Sequence, residues 1–453
     1  MNTLESLAPR VALVPDQGLD PVRAEVPSVC RTRRYPRYWE FTFTQSPEQP
    51  EDPAPMNEPV EPAEALDDST PADRPKRRGR ARRKSTVGRV LLISAVVLAL
   101  ITGLGVVYFY RHLNGNLTVI EIAGQLENRP DKKRVQGPQE PLNILVMGSD
   151  DRDEAGNNID NLTGSGQRSD TTILFHLSAD RKRAYGVSIP RDSIVDRPAC
   201  KTSDGSRTAP ATDVMWNEAF NLAGPTCTVQ QFETLTGVFV DHIVVVDFAG
   251  FEDMVNAIDG VPVCIPEDIV DPAHGINIPA GTREIEGREA LNYVRARYTL
   301  GDGSDISRIK RQQAFVAAMA KKVISADTLA RVDRLMGFLN AATQSLTVDE
   351  DLENVVKIAR IGVGFQDIGL DKIKFLTVPN AYFPEESDFW GRVYWEDTAD
   401  DLWEQLANDE PLAKQYTGDA ISAGSVPGQG KKPRTPEQIA AAQERAEQDE
   451  LCT

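Results

Sequence analysis

The chain has 453 residues, 40% of them hydrophobic, and a formal net charge of −18. That length leaves room for more than one domain. The acidic balance excludes nucleic acid as a global partner, because a polyanion would be repelled. Five cysteines form no C-x-x-C pair and four histidines form no H-E-x-x-H, so a zinc ribbon, a thioredoxin motif and a zinc hydrolase lack support. No phosphate-binding G-x-x-x-x-G-K-[ST] loop and no G-x-S-x-G nucleophile elbow occurs.

Residues 1–73 are rich in Pro and Glu and poor in apolar periodicity, which predicts a disordered segment; Met56 within it offers a second start. Residues 74–86 follow as a basic run containing Arg74, Lys76, Arg77, Arg78, Arg80, Arg82, Arg83 and Lys84. From 87 to 110 the chain is almost wholly apolar, with no charge between Arg89 and Arg111. At about 1.5 Å per residue such a run crosses a hydrocarbon layer of about 30 Å. Tyr108, Phe109 and Tyr110 suit the far interface, and the basic run before the span places the N-terminus in the cytoplasm. The expectation is a single-pass, type II cell-membrane protein whose remainder lies outside.

That compartment is oxidising, so Cys200 and Cys227, in one folded region, are expected to pair as a disulfide. Cys264, in the apolar run 261–265, reads as a buried free thiol. Cys30 falls on the cytoplasmic side and Cys452 in a polar tail.

Residues 111–141 read as a stalk ending at Gly137-Pro138, and 142–406 as the folded domain. Strand patterns occur at 142–148, 171–177, 184–189, 242–247, 261–265 and 373–378. Helical patterns occur at 228–236, 249–258, 286–294, 305–325, 328–346 and 349–361. The alternation predicts an α/β fold: a central mixed β-sheet with helices on both faces, preceded by one transmembrane helix. The apolar run 243–246 fits a strand buried on both faces. Residues 407–453 are polar and read as a largely disordered tail.

Several short motifs at strand ends and helix starts carry charge. Asp150 and Arg152 follow one predicted strand, and Arg168 and Asp170 open the next. Carboxylates bind hard cations and guanidiniums grip phosphate oxygens, so the pair suits a metal bound to a phosphate; ordinary ion pairs on a surface loop are the equally weighted alternative. Arg191 and Asp192 follow Pro190 at a strand's carboxyl edge, where open α/β sheets bind ligands; a turn with a surface ion pair is the alternative. Arg295 and Arg297 point the same way only if their backbone is extended. Arg308, Arg311 and Gln312 share one face of a helix opened by Ser304 or Asp305, where a bound anion would relieve the cations' clash with the helix dipole. The alternative is a solvent-facing basic face. No Ser-His or Cys-His pair is placed as an activated nucleophile. The chemistry invited is phosphoryl transfer, which needs positioning and charge neutralisation above all.

In order, NILVMGSDDR, QRSDTTILFHL, VSIPRDSIV, WNEAF, DHIVVVDFAGFEDMVNAIDGVPV, ALNYVRARY and DISRIKRQQ closely resemble the LytR–CpsA–Psr family over about 142–320, with a looser actinobacterial-type continuation to about 406. The resemblance implies an α-β-α sandwich and a phosphotransferase. Such an enzyme moves an anionic or phosphate-linked cell-wall glycopolymer from a polyprenyl-pyrophosphate carrier to the C6 hydroxyl of N-acetylmuramic acid in peptidoglycan. Carried over, Asp150 and Asp170 would ligate Mg²⁺, with Mn²⁺ a substitute. Arg152, Arg168, Arg191, Arg295, Arg297, Arg308 and Arg311 would surround the pyrophosphate, with Gln312 and Asn217 nearby. Arg191, Asp192, Arg297 and Arg308 would be catalytic, Asp192 standing as the candidate base. Met215 departs from the pattern, because members often carry Lys there. Val244, Val246, Phe248 and Phe251, with helices 228–236 and 249–258, offer an apolar slot for the polyprenyl tail, against the reading that they are plain core. The polymer is left open: arabinogalactan, teichoic acid and capsule-like chains all fit. A carrier pyrophosphatase, and a non-enzymatic envelope adaptor or sensor binding polyprenyl phosphates, are the alternatives.

Overall fold

A computed structural model describes residues 84–150, 168–202, 204–265, 268–271, 275–296, 305–325, 328 and 330–425, with the side chains of 84–86, 150 and 168 outside the description. Helix α1 (Lys84–Asn116) contains a stretch, Val87–Asn116, long and apolar enough to cross a membrane. Its apolar side chains, Leu91, Leu98 and Leu104 among them, are exposed rather than packed. The helix continues past Tyr110, the expected end of the span, because its last turns find polar partners on the folded domain. His112 Nε2, for example, lies 2.9 Å from Asn340 Oδ1.

The other main elements follow in chain order: β1 (Thr118–Ile120), β2 (Leu142–Asp150), β3 (Arg168–Leu177), β4 (Ala184–Ile189), β5 (Ile194–Arg197), β6 (Ala211–Met215), α2 (Glu218–Thr236), β7 (His242–Asp247), α3 (Phe248–Ala257), β8 (Val261–Ile265), β9 (Ile269–Asp271), β10 (Ile276–Ile278), β11 (Gly281–Ile285), α4 (Gly287–Arg295), α5 (Asp305–Ile324), α6 (Val332–Ser345), β12 (Leu346–Asp349), α7 (Val355–Ile368), β13 (Ile373–Thr377), β14 (Asn380–Tyr382), β15 (Val393–Trp395), α8 (Thr398–Ala407) and β16 (Ile421–Ser422). Eight strands form the main sheet in the order β1-β12-β7-β2-β3-β4-β13-β16. It is mixed: β7 runs parallel to β2, β4 parallel to β13 and β1 parallel to β12, while β3 runs antiparallel to both its neighbours, β2 and β4.

Alternation along each strand divides the core in two. Ile144 and Phe375 pack on one face with Val255 of α3, Tyr293 of α4 and Phe315 of α5. Leu145, Met147, Leu174 and Val187 pack on the other with Phe232 of α2 and Trp403 of α8. The run 243–246 is apolar throughout because Ile243 and Val245 serve one core while Val244 and Val246 face the other.

Several sequence expectations need correction. The segment 111–141 is not a free stalk. Its β1 pairs with β12, Ile122 and Leu126 are buried, and Arg129 grips the buried carboxylate of Glu233 through both Nε and Nη2. The domain does not stop at 406. Asp409 Oδ1 lies 3.1 Å from Nε2 of the buried His176, Leu412 is buried, and β16 pairs with β13. The helix expected at 349–361 is displaced to α7, since Asp349 ends strand β12 and turns its carboxylate to the N–H groups of Ile243, Asp351 and Leu352. Asn354 caps α7 instead, its Oδ1 accepting from Val356 N at 2.8 Å. The helix expected at 228–236 begins earlier, at Glu218, with a break at Ala223 and Gly224 ahead of Pro225.

Cys200 and Cys227 form the expected disulfide, with Cα atoms 5.3 Å apart, tying the loop after β5 to α2. The reading of Cys264 as a free thiol is corrected. It is buried in β8 as expected, but it is disulfide-bonded rather than free.

Glu233 also accepts from Val240 N at 2.9 Å, so its carboxylate depends on Arg129 for charge balance. Arg129→Ala leaves that carboxylate buried and unpaired. A loss of about 2–4 kcal/mol is expected by chemical denaturation, slightly under the usual figure for a fully buried pair because Arg129 is partly exposed. An unchanged midpoint would show that 111–141 does not belong to the cooperative fold.

Candidate active site

The β2–β3 ladder carries a bulge where chemistry begins. Gly148 pairs with Thr171 but Ser149 pairs with Ser169, so Asp170 is the extra residue. A bulge turns two consecutive side chains toward one side. Asp170 and Thr171 accordingly both line the same cavity. Asp150 lies one rung further, opposite Arg168, which places both by backbone alone.

Next to Asp170 stands Arg191. Pro190 follows the last rung of β4, and the chain leaves the sheet there. Arg191 Nη1 donates to Asp170 Oδ1, and its Nε lies 3.5 Å from Asp305 Oδ1 and 3.7 Å from Asp192 Oδ1. Asp305, the first residue of α5, also contacts Arg308 Nη2 one turn on. Asp192 Oδ1 accepts from Arg392 Nη1 at 2.9 Å, so the segment between β14 and β15 is fastened to the site. The backbone repeats the tie, since Val393 N donates to Asp192 O.

Burial sets the electrostatics. It pushes the Asp305 carboxyl above the ordinary aspartate range, with Asp192 and Asp170 adding to the rise, although Arg308 and Arg191 pull the other way. Burial also lowers the Arg308 guanidinium, which is only 3% exposed, against the pull of Asp305. For Arg191 burial acts downward too, but Asp170, Asp192 and Asp305 outweigh it and raise the group. Nε of Arg191 and Nε and Nη2 of Arg308 are buried with no hydrogen-bond partner among the described residues, despite their ion-pair contacts. Such N–H groups are what an anion would satisfy.

These charges edge a cavity of about 570 Å³. Gly148, Asp247 and Arg191 lie at the carboxyl ends of β2, β7 and β4, the edge at which open α/β sheets hold ligands. From that edge the cavity runs beneath α3, α4 and α5 over Val146, Ile173, Phe175, Val246, Phe251, Phe315 and Met319. It is therefore polar along an edge and apolar along the sheet.

Arg191, Arg295, Arg308, Gln312 and Asp170 line the cavity. Arg295 lies over the Phe248 ring with Cζ 5.1 Å from its centroid, and Gln312 Nε2 donates to Val294 O at 3.2 Å. Two expected ligands do not line it. Arg311 is 4% exposed and donates from Nη2 to Ala296 O, locking the end of α4 onto α5. Asn217 touches the site only through its backbone N–H, which donates to Arg191 O at 3.4 Å. Arg152 and Arg297 lie outside the described residues, as do the side chains of Asp150 and Arg168. Val246, Phe248 and Phe251 line the apolar part as expected. Val244 instead packs beside that core, and the helix 228–236 belongs to the opposite face of the sheet.

Three residues were missed as site residues. Asp305 was read only as a helix cap, although an Arg at i+3 on a buried helix face marks it as a charge partner. Asp247 lines the cavity and caps α3, its Oδ1 accepting from Gly250 N at 2.7 Å, while burial pushes its carboxyl up. The sequence signal was an Asp between an apolar strand and a helix. Arg392, some 200 residues from Asp192, gave none.

In kind, the donors fit a hard divalent ion: Asp150 and Asp170 stand on paired strands at the bulge, and Mg²⁺ commonly takes one or two carboxylates with phosphate and water completing its shell. No group of three metal-ligating side chains forms among the described residues.

Asp305 provides a pH test. With a folded value above the unfolded one, its carboxyl costs nothing below the ordinary aspartate range and destabilises as pH rises through the raised value. Asp305→Asn cannot ionise. The stability of the variant relative to the parent should therefore climb across that interval in urea denaturation; a difference independent of pH would contradict the burial of this charge.

A family model, LytR_cpsA_psr family, matches residues 108–408. The cell wall biosynthesis protein LcpA of Corynebacterium glutamicum is 30% identical over 270 residues, which are 54% of this chain and 51% of that protein. The probable cell wall biosynthesis protein LcpB of the same organism is 32% identical, over 54% of this chain and 55% of that protein. The chain thus spans about half the length of these two relatives. The Bacillus subtilis polyisoprenyl-teichoic acid–peptidoglycan teichoic acid transferase TagV is 26% identical over 66% of this chain and 74% of its own length. Among solved structures, the LytR-Csp2A-Psr enzyme from Actinomyces oris is 18% identical, with a TM-score of 0.47, covering 66% of this chain and 97% of that one. Bacillus subtilis TagT is 23% identical, with a TM-score of 0.45, covering 65% and 100%. With the family model spanning 108–408, this chain belongs to the LytR–CpsA–Psr family.

Proposed function

We propose that the protein is a phosphotransferase that moves an anionic or phosphate-linked cell-wall glycopolymer from a polyprenyl-pyrophosphate carrier to the C6 hydroxyl of N-acetylmuramic acid in peptidoglycan. The observation that carries this reading is the cavity itself: one continuous space joins an apolar slot for an isoprenoid to a cluster of guanidiniums and carboxylates for a pyrophosphate. The TagV relative, named as a teichoic acid transferase acting on peptidoglycan, supports the class of reaction.

In this reading the polyprenyl chain lies along Val146, Phe175, Val246, Phe251 and Phe315. Arg191 and Arg308 meet the phosphate oxygens with the buried N–H groups that have no hydrogen-bond partner among the described residues. Arg295, held over Phe248, adds a third cation. The muramic hydroxyl attacks the phosphorus that bears the polymer and gives up its proton to water, a new phosphodiester forms, and polyprenyl phosphate leaves with the electron pair of the broken P–O bond. Asp192, engaged by Arg392 and facing Arg191, acts as a positioning residue for that guanidinium. Mg²⁺, or Mn²⁺ in its place, would be held by Asp150 and Asp170 and would neutralise charge on the pyrophosphate.

Placement fits the same reading. With the basic run 74–84 on the cytoplasmic side and α1 across the bilayer, the domain lies outside, where carrier-linked polymer meets the wall. The disulfide between Cys200 and Cys227 suits that oxidising compartment.

The test is transfer of labelled polymer from a polyprenyl-pyrophosphate carrier to peptidoglycan by the full chain. Arg308→Ala should lower it about ten- to a hundredfold, the worth of one charge-assisted hydrogen bond to phosphate. Near-normal transfer would remove the cluster from the reaction, and polymer release undiminished without peptidoglycan would replace the transferase reading with a hydrolase. A chelator should abolish transfer and added Mg²⁺ restore it; transfer that persists in the chelator would discard the metal.

A further inference from the structure

The last turns of α1, from Tyr110 to Asn116, are held by α6 and α7. His112 Nε2 and Asn116 Nδ2 both donate to Asn340 Oδ1, and Asn116 Nδ2 also reaches Thr343 Oγ1. Tyr110 Oη accepts from Asn354 Nδ2, and Asn114 Oδ1 accepts from the backbone N–H of Val355, both at 2.8 Å. Moving from His112 to Asn116 thus moves from Asn340 toward Thr343, so α6 runs in the same sense as α1 where they touch. Followed back from Asn340, α6 therefore descends toward the span.

Two apolar side chains on that descent are uncovered. Met336 and Val332 lie four and eight residues before Asn340, on the stripe that faces α1, and are 37% and 64% exposed. At about 1.5 Å per residue they stand about 6 and 12 Å back from Asn340, toward the level of the Tyr108–Tyr110 aromatic group. The exposed charged residues beside Val332, Arg331 and Asp333, pair with each other. On α7, Val356 and Val363 are 43% and 53% exposed seven residues apart, with Lys357 and Arg360 exposed beside them. Single exposed aliphatics are ordinary on a protein surface. Here Val332, Met336 and Val356, with Lys357, lie on the two helices that hold the end of a spanning helix, and Arg360 and Val363 continue the same helix α7. That is the pattern of helices lying in a lipid interface.

We propose that the first turns of α6 and the Val356–Val363 face of α7 rest in the headgroup region of the bilayer that α1 crosses. This second membrane contact places Lys357 and Arg360 toward anionic headgroups. It stops the domain from swivelling about α1. Because α6 packs on α3, with no room for a Cβ at Gly250 against Ser345, and α3 covers the cavity, the contact also fixes the cavity relative to the lipid plane. The proposal rests on α1 spanning the bilayer and not on the transfer chemistry.

The experiment places a genetically encoded benzophenone amino acid singly at positions 332, 363, 98 and 222 of the full chain. The protein is reconstituted into vesicles of phosphatidylglycerol and phosphatidylethanolamine, and lipid adducts are counted by mass spectrometry after illumination. Leu98 lies within the apolar stretch of α1; Leu222 is an exposed apolar residue of α2, on the far face of the sheet. Adducts at 332 and 363 should approach those at 98 and exceed those at 222 several-fold. Adducts at 98 with only background at 332 and 363 overturn the second contact while leaving the span intact. Equal adducts at 222 and 332 overturn it as well, and none at 98 removes the span and the contact together.

Discussion

One largely buried guanidinium among carboxylates governs the site. Arg191 faces Asp170, Asp192 and Asp305 at the edge of a sheet whose same face is apolar. Charge in such a place costs several kcal/mol per ion unless it is compensated. Compensation comes from two further cations, Arg308 on Asp305 and Arg392 on Asp192, so the three acids are met by three guanidiniums. The balance holds the loop after β4, the start of α5 and the β14–β15 segment to one point. It also leaves buried N–H groups without a hydrogen-bond partner among the described residues, a cost that a phosphate would relieve.

Local backbone geometry makes that point coincide with an apolar slot. The bulge at Asp170 turns a carboxylate into the cavity without breaking the ladder that sets Ile173 and Phe175 on the same face. The ends of β2, β4 and β7 deliver Gly148, Arg191 and Asp247 to one edge. Charges there and isoprenoid-sized apolar surface along the sheet then follow from strand direction alone. A ligand with a charged head and an apolar tail is the chemistry such a space recognises.

Much of this was legible in the sequence. Strands 142–148, 171–177, 184–189, 242–247 and 261–265 and the helices at 249–258, 286–294 and 305–325 stand close to where their periodicity put them, because each buries a continuous face. What was lost is short or long-range. Strands β1, β12 and β16 have two to four residues, too few for a period, and are fixed by partners from distant parts of the chain. The same holds for charge. Arg191 follows a Pro, Arg308 stands at a helix start and Asp170 opens a strand, which gave their positions away. Arg311 shares the helix turn of Arg308 and Gln312, yet it turns to the Ala296 carbonyl, a difference of rotation that spacing alone does not fix. Arg392 reaches Asp192 across 200 residues, and only the fold brings them together.

The central claim is that one cavity holds a pyrophosphate and its isoprenoid tail at once. Calorimetric titration of the full chain with pyrophosphate, then with geranyl, farnesyl and longer polyprenyl pyrophosphates, tests it most directly. Affinity should rise with each added isoprene unit until the apolar slot is filled, at up to about 0.8 kcal/mol for each buried methylene, and Phe251→Ala should flatten the rise while sparing inorganic pyrophosphate. Affinity that is the same for every tail length, or a rise unaffected by Phe251→Ala, would contradict the account.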